Sequence, residues 1–337
     1  MTRVRWGILS TADIGMAKVT PAIQRAENCD VVAIASRDEE RASAAAQALG
    51  IPHAYGSYEE LLEADDVDAV YIPLPNDLHA EWTIKAAAAG KHILCEKPLA
   101  MSAAQAQEIV DACAEAGVKL QEAFMYRHHP TWVEAIRLVR SGAIGEVQAV
   151  QSWFSYFNDD PANIRNKVEN GGGALMDIGC YNINLSRLVF DGEPESIHSA
   201  VRRDPTMGID ILASAVLEFP EEKHSTFTCT IRAEDDQRVS IVGTSGRIDI
   251  EIPFNIPPDL PTRIRVTSGG EPPVDPATEV VEFAPADQYT IQAELFAAAI
   301  IEDRPVPVPP QDAVRNMQVI EAVLAGSNAH QVGSQGG

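Results

Sequence analysis

The sequence predicts an α/β fold in two parts, a doubly wound parallel sheet followed by an α/β unit with a large open, mostly antiparallel sheet. Three observations support this. Over residues 1–123, short apolar runs alternate with helical stretches. From 124 to 330, apolar residues recur instead at every second position across several long segments. The length, 337 residues, is that of two domains rather than one, and 45% hydrophobic residues suffice for a core in each.

In the first part, Val4–Leu9 is a strand with apolar side chains on both faces. Residues 15–26 read as a helix that Pro21 splits. A second strand spans 30–35 ("DVVAIA"). The Ala-rich stretch Glu39–Leu49 and the shorter 58–64 are helical. Ala69–Ile72 and His92–Cys95 are strands separated by a helix over 77–89. A helix over 102–116, with Ser102 able to cap it, leads to a last strand at 119–123.

The second part opens with a helix at 131–141. Period-two runs follow at 147–157, 196–203, 211–219, 224–232, 238–243, 247–252, 262–268 and 278–284, divided by Gly, Pro and Asp. Helices are expected at 176–189, 289–302 and 311–326, and disorder in the tail "HQVGSQGG" (330–337).

Lys and Arg number 26 against 49 Asp and Glu, a net charge of −23 at pH 7. That balance argues against a nucleic-acid partner, because phosphates require bound cations. It fits a solvated acidic surface or a saline cytoplasm. Cys29, Cys95, Cys113, Cys180 and Cys229 are scattered, without a C-x-x-C pair, as expected of free thiols in a reducing compartment. No metal is expected: His128 and His129 have no ligand partner nearby in sequence. No charged-then-apolar leader precedes the first strand, and no apolar run reaches the roughly 18 residues of a membrane span. A cytoplasmic protein with no membrane partner is expected.

"RWGILSTADIG" (5–15) joins the first strand to a helix, the place of a dinucleotide fingerprint. The G-x-G-x-x-G register reads Ser10, Ala12, Gly15. Ser and Ala are the smallest replacements for glycine, so backbone N–H groups at the helix start can still receive a phosphate. Ser10, Thr11, Ala12, Ile14 and Gly15 are therefore candidate cofactor contacts. The second strand ends "AIASRDEER". Ser36 and Arg37 replace the acid that binds the ribose 2′-hydroxyl in NAD-specific sites, and Arg41 follows one turn on. Two guanidiniums and a hydroxyl suit a 2′-phosphate, so NADP is expected over NAD.

"AGKHILCEKPLA" (89–100) puts Glu96, Lys97 and Pro98 just past a strand's carboxyl end, where open α/β sheets bind ligands. A cis Lys97–Pro98 bond is plausible there. In "GGGALMDIGCYNIN" (171–184), Asp177 and Tyr181 lie four apart, on one helix face. A tyrosine beside an ammonium acquires a lowered pKa. Lys97, Asp177 and Tyr181 thus form a candidate acid–base set for alcohol–carbonyl interconversion.

These segments, with "YIPLPNDLHAEW", "FMYRHHP" and "GAIGEV", resemble in order the glucose–fructose oxidoreductase / inositol dehydrogenase / MocA family. Within it the chain is most similar to NADP-dependent D-xylose and dihydrodiol dehydrogenases. The resemblance implies a Rossmann domain (1–123) and a substrate-binding, oligomerising α/β domain (124–330) whose open sheet packs against a partner's in homodimers or homotetramers. It implies Lys97 as the EKP lysine, Tyr181 as the proton-transfer tyrosine and Asp177 as their positioner. Pro73, Leu74, Asn76 and His79 match a cofactor-lining segment, and Arg165 resembles an arginine that reaches the cofactor from the second domain. Tyr181 stands where inositol dehydrogenases carry histidine, which favours the sugar and diol branch. The expected activity is hydride transfer between NADP and an aldose or vicinal diol. Keto-sugar reduction and NAD-dependent glycoside cleavage on the same fold are the alternatives.

Substrate contacts are expected from "WFSYF" (153–157), where Trp153 and Phe154 face opposite ways and either set is as well placed to pack in the core. Arg127 is a candidate for binding substrate hydroxyls or for a salt bridge at a helix start. Tyr289 is a candidate from the last third of the chain.

Overall fold

In the computed structural model, which describes residues 2–269 and 277–326, the apolar runs of the first part form one parallel sheet. β1 (Val4–Leu9) ends in a turn and a wide π-type helical segment (Gly15–Val19) that continues as α1 (Thr20–Arg25). The split expected at Pro21 takes the form of a change from π-type to α-type winding between Val19 and Thr20. Pro21 lies in the first turn of α1, beside the point where the winding changes. β2 (Cys29–Ala35), α2 (Glu39–Leu49), β3 (His53–Tyr55), α3 (Tyr58–Glu63), β4 (Ala69–Ile72), α4 (Asn76–Ala88), β5 (His92–Cys95), α5 (Ala103–Ala116) and β6 (Leu120–Glu122) follow. β3 was not foreseen: three residues at a sheet edge carry too little pattern. Asp38, Ser57 and Ser102 cap α2, α3 and α5 through their side chains.

The strand order is β3-β2-β1-β4-β5-β6, so the direction of winding reverses between β1 and β4. Ligands bind outside the carboxyl ends of the strands at such a switch point. The loops after β1, β2, β4 and β5 all emerge there.

Beyond α6 (Pro130–Arg140) the period-two runs form a second, eight-stranded sheet. It contains β7 (Val147–Phe157), β8 (Ser196–Arg203), β9 (Asp210–Phe219), β10 (Lys223–Thr230), β11 (Arg232–Gly243), β12 (Gly246–Ile250), β13 (Thr262–Ser268) and β14 (Ala277–Phe283). The order is β14-β13-β12-β11-β7-β10-β9-β8, antiparallel except for β7 with β10. A π-type segment (Leu175–Gly179) continuing into α7 (Cys180–Phe190) packs with α6 and α9 (Gln311–Ala325) against one face. The other face is open.

α8 (Gln288–Ile301) returns to the first sheet. Its Ala293, Phe296 and Ala297 join Trp6 and Ile8 in one buried cluster, with the Trp6 and Phe296 rings 5.7 Å apart. This crossing brings Tyr289, near the start of α8, to the carboxyl ends of the first sheet's strands. The tail at 330–337 lies outside the described residues. Among the described residues, no helix is long and apolar enough to cross a membrane, and no cluster of His, Cys, Asp and Glu is arranged to hold a metal ion.

The segment leading into α7 is fixed by Asp210, whose carboxylate accepts the Leu175 N–H at 2.7 Å. Gly173 has φ +125°, and a Cβ there would collide with Asp210 Oδ1. Gly173→Ala is expected to destabilise the protein by about 2–4 kcal/mol, through backbone strain and loss of this cap. Unfolding by denaturant measures it; a change below about 0.5 kcal/mol would remove Asp210 as the anchor of this segment.

Candidate active site

The strand ends of the first sheet and the covered face of the second enclose a cavity of about 960 Å³. Lys97, Asp177 and Tyr181 all line it. Lys97 Nζ donates to the Asp177 carbonyl at 2.6 Å and lies 3.3 Å from Asp177 Oδ1. Asp177 Oδ1 also receives Arg165 Nε at 3.2 Å, and its Oδ2 receives the Tyr156 hydroxyl at 2.5 Å. Burial alone would raise the Asp177 carboxyl, but Lys97, Arg165 and the Tyr156 hydroxyl together pull it down to about 2. Burial alone would lower the Lys97 ammonium; the Asp177 carboxylate outweighs it and holds the group above its ordinary value. The pair is therefore ionised across the physiological range.

Tyr181 does not follow the expectation of a lowered pKa. The ammonium lies over its ring face, 5.1 Å from the centroid, and not at its hydroxyl. The ring is packed among Phe124, Tyr126, Phe154 and Phe254, at centroid distances of 5.1 to 5.9 Å. Among the described residues the hydroxyl reaches only the Met125 sulfur, at 3.5 Å. Burial, followed by nearby Tyr289 and Glu96, pushes the phenol well above its ordinary value. In this arrangement Tyr181 is a neutral proton donor.

The loop carrying Lys97 is held at each residue. Tyr71 donates to Glu96 Oε1 at 2.7 Å, the Lys97–Pro98 bond is cis, and the Leu99 N–H donates to Glu122 Oε1 at 2.8 Å. His79 was expected to contact a cofactor, and the structure corrects this. It is fully buried, with Nδ1 2.8 Å from the Pro98 carbonyl and Nε2 2.7 Å from the Leu74 carbonyl. Burial pulls the ring toward neutrality, while two carbonyl acceptors favour the form with two N–H groups. The ring joins the loops after β4 and β5 and does not line the cavity.

At the opposite end, Thr11, Ala12, Asp13 and Ile14 line the cavity with Lys18 and Arg41. Ser10 holds φ 142°, a region that favours glycine, and its hydroxyl accepts the Ala12 N–H at 3.1 Å. The turn thus keeps the glycine geometry without the glycine. Gly15 lies where a Cβ would come within 3.3 Å of Pro73, the close helix–strand approach the fingerprint serves. The π-type segment has no side-chain cap, and its Met16 N–H is taken by the Ala12 carbonyl at 2.9 Å, so a phosphate would be received by the N–H groups that precede Met16. Uncapped N–H groups with two cations on one wall fit the phosphates of a dinucleotide. Pro73, Leu74, Asn76, Glu96 and Arg165 line the same cavity; Ser10, Gly15, Ser36, Arg37 and Pro98 stand outside its lining. The Ser36 hydroxyl accepts the Asp38 N–H at 3.3 Å.

Phe154 and Tyr289 line the cavity. Trp153 and Arg127 do not. Trp153 points from β7 to the open face, where Arg238 packs over its ring at 5.3 Å, because the alternate residues Phe154 and Tyr156 face the helices. Arg127 is bound to Asp312 of α9 at 2.9 Å, in a buried network with Arg187 and Asn184. His128 and His129 are core residues, both pushed down by burial to about 4. Sequence reasoning missed Lys18, the Tyr71–Glu96 pair and the Asp177 bond of Tyr156. The even register of Tyr156 with Phe154 was the available signal for the last.

A description of an oxidoreductase family with an NAD-binding Rossmann fold, GFO_IDH_MocA, matches residues 4–124, and that of the GFO/IDH/MocA C-terminal domain matches 132–249. The chain is 46% identical over 323 residues to an uncharacterized oxidoreductase of Rhizobium meliloti, covering 96% of each. It is 41% identical over 319 residues to a D-xylose 1-dehydrogenase (NADP(+)) of Haloferax volcanii, covering 94% of this chain and 95% of that one. Its structure is similar to that of a 3-ketoreductase from Actinomadura kijaniata in complex with NADP and TDP-benzene, with TM-score 0.88, 30% identity, and coverage of 96% and 98%.

Glu122 gives the site a pH signature. It is buried, its Oε2 has no partner among the described residues, and burial pushes its carboxyl up to about 8. An acid raised in the fold holds a proton that the unfolded chain releases above about pH 4.3. Stability is then fully present below that value and is lost as pH rises toward 8. Thermal unfolding of Glu122→Gln against the native protein is expected to show an advantage for the variant that grows from pH 5 to 8. A pH-independent difference would show Glu122 to be ionised throughout.

Proposed function

Because the chain belongs to the GFO/IDH/MocA oxidoreductase family, we propose that it transfers a hydride between NADP and a CH–OH carbon of a sugar or vicinal diol. The observation that carries this reading is one cavity lined by the β1 turn, by Lys97 and by Tyr181. The helix N–H groups after Thr11 would hold the pyrophosphate, Arg41 the 2′-phosphate, and Pro73, Leu74, Asn76 and Arg165 the remainder of the cofactor. Bound NADP would supply the hydride acceptor, or as NADPH the donor.

The protein's own residues handle the proton. Tyr181 holds one at Oη, and in carbonyl reduction that proton passes to the substrate oxygen. In alcohol oxidation the same oxygen must accept a proton. That requires Tyr181 first to release its own proton to solvent, which the Lys97 ammonium would favour by leaving Asp177 Oδ1 and approaching Oη to stabilise the phenolate. Asp177 keeps Lys97 charged and within reach. The neutral phenol favours a second reading of direction, reduction of a keto-sugar.

We also place a partner copy on the open face of the second sheet, giving a homodimer or homotetramer. Trp153, Phe227, Ser214 and Thr228 line a hollow there of about 810 Å³. Light scattering is expected to give a dimer or larger, and Thr228→Arg a smaller species; a monomeric native protein would dismiss this surface.

A screen of NADP and NAD against aldoses, diols and keto-sugars, read by NADPH fluorescence, tests the activity. Turnover with NADP and at least one panel member is expected. Tyr181→Phe is expected to lower kcat by about 10²–10⁴-fold with NADP affinity unchanged. Arg41→Ala is expected to weaken NADP by about 10–100-fold and leave NAD unchanged. Unaltered turnover in Tyr181→Phe would remove that tyrosine from the reaction.

A further inference from the structure

The charged lining of the cavity is unevenly divided. Lys18 and Arg41 stand beside the β1 turn, at the cofactor end. Lys97 and Arg165 are both bound to Asp177. The far end is walled by Phe154, Tyr156, Asp235, Asp236, Ile252 and Asn255. The cations nearest that end are Arg165 and Lys97, both committed to the Asp177 carboxylate that also receives the Tyr156 hydroxyl; no unpaired basic side chain lines it among the described residues. Arg238 pairs with Asp236 but lies over Trp153 and lines the open-face hollow instead. Arg263 and Arg265 are paired with Glu251.

Asp235 is brought there by a defect in the sheet. Arg232 lies opposite Phe157 and Asp236 opposite Ser155, so β11 crosses two positions of β7 with four of its own. The two extra residues bulge from the sheet and re-aim the side chain. The bulge is anchored on both sides. The Ser155 hydroxyl donates to the Glu234 carbonyl at 2.6 Å, and Gln237 Oε1 accepts the N–H groups of Phe254 and Asn255 at 3.0 and 2.9 Å. Asp235 itself makes no hydrogen bond or ion pair with any described residue. A carboxylate only accepts hydrogen bonds, and hydroxyl groups are its natural neutral donors.

We propose that the far end of the cavity selects an uncharged polyhydroxylated substrate, with Asp235 accepting hydrogen bonds from its hydroxyls, and rejects sugars that carry a phosphate or nucleoside diphosphate. This deepens the reading above and rests on it for the placement of the substrate against Tyr181. A phosphate at this wall meets a like charge and finds no cation that is not already paired with Asp177, so discrimination comes from repulsion as much as from attraction.

Equilibrium titration of the NADPH-saturated protein, followed by cofactor fluorescence, tests this without turnover. The probes are D-glucose, glucose 6-phosphate and UDP-glucose. Free glucose is expected to bind at least tenfold more tightly than either anion at 50 mM salt, with the gap narrowing at 500 mM. Asp235→Ala is expected to weaken glucose about tenfold with NADPH affinity unchanged. Asp235→Lys is expected to reverse the preference. Asp235 is exposed, so both variants are expected to fold, which thermal unfolding checks. Tighter binding of UDP-glucose or glucose 6-phosphate to the native protein overturns the proposal. So does unchanged glucose affinity in Asp235→Ala, or no binding by any of the three. Preferential glucose binding with no turnover of any alcohol or ketone leaves this inference standing and removes the dehydrogenase reading instead.

Discussion

The Asp177 carboxylate is the contact on which the site depends. It is buried where the two sheets meet and binds an ammonium from the first sheet, a guanidinium from the loop after β7, and a phenol from β7 itself. Removing one partner of a buried ion pair leaves the other charge uncompensated, at a cost of about 3–5 kcal/mol. Asp177 therefore both places Lys97 and ties the second unit to the first. Its position follows from the chain leading to it. Asp210 fixes the Leu175 N–H, Gly173 leaves room for Asp210, and the π-type segment then turns Asp177 toward Lys97 and Tyr181 toward the aromatic cluster.

The EKP loop is rigid for a different reason. Its backbone and side chains are held by residues from separate elements: Tyr71 on β4, His79 on α4 and Glu122 on β6. Each is buried, so none of these bonds is exchanged readily for water. Lys97 extends from this fixed frame, with its ammonium bound to Asp177 and lying 5.1 Å from the centroid of the Tyr181 ring.

Much of this was legible in the sequence, and the reasons differ by residue. The alternation of apolar runs gave both sheets, because side-chain period reports directly on which faces are covered. Lys97, Asp177 and Tyr181 stood out by residue type at a strand end and on one helical face. Strand period also separated Trp153 from Phe154, but it does not say which face the helices cover; that depends on how the second sheet packs. Arg127 was ambiguous because its partner, Asp312, lies 185 positions away in sequence. The histidine of the "PLPNDLH" stretch was misplaced because its role, joining two backbone carbonyls, leaves no pattern. The tyrosine's raised pKa was invisible for the same reason: proximity to a lysine is readable, but the atom the ammonium chooses is not.

That choice explains why Asp177 has three partners. If Lys97 were its only counter-ion, moving the ammonium toward Tyr181 Oη would strand a buried carboxylate, and the move would be prohibitive. Arg165 and the Tyr156 hydroxyl keep Asp177 satisfied while Lys97 departs. Arg165 is suited to this because about 45% of its side chain is exposed, so its own charge is partly solvated in either state. With Lys97 in place the carboxylate is held down to about 2, and Arg165 and the Tyr156 hydroxyl act in the same direction when Lys97 departs. On the proposed reading the arrangement has two settings, which differ by the one proton that Tyr181 either holds or has released to solvent. With Lys97 on Asp177, Tyr181 is an acid suited to giving a proton to a carbonyl oxygen. With Lys97 at Oη, the same tyrosine is a base suited to taking one from an alcohol. On that reading, a single lysine movement, made tolerable by a second cation, would let one set of residues serve hydride transfer in both directions.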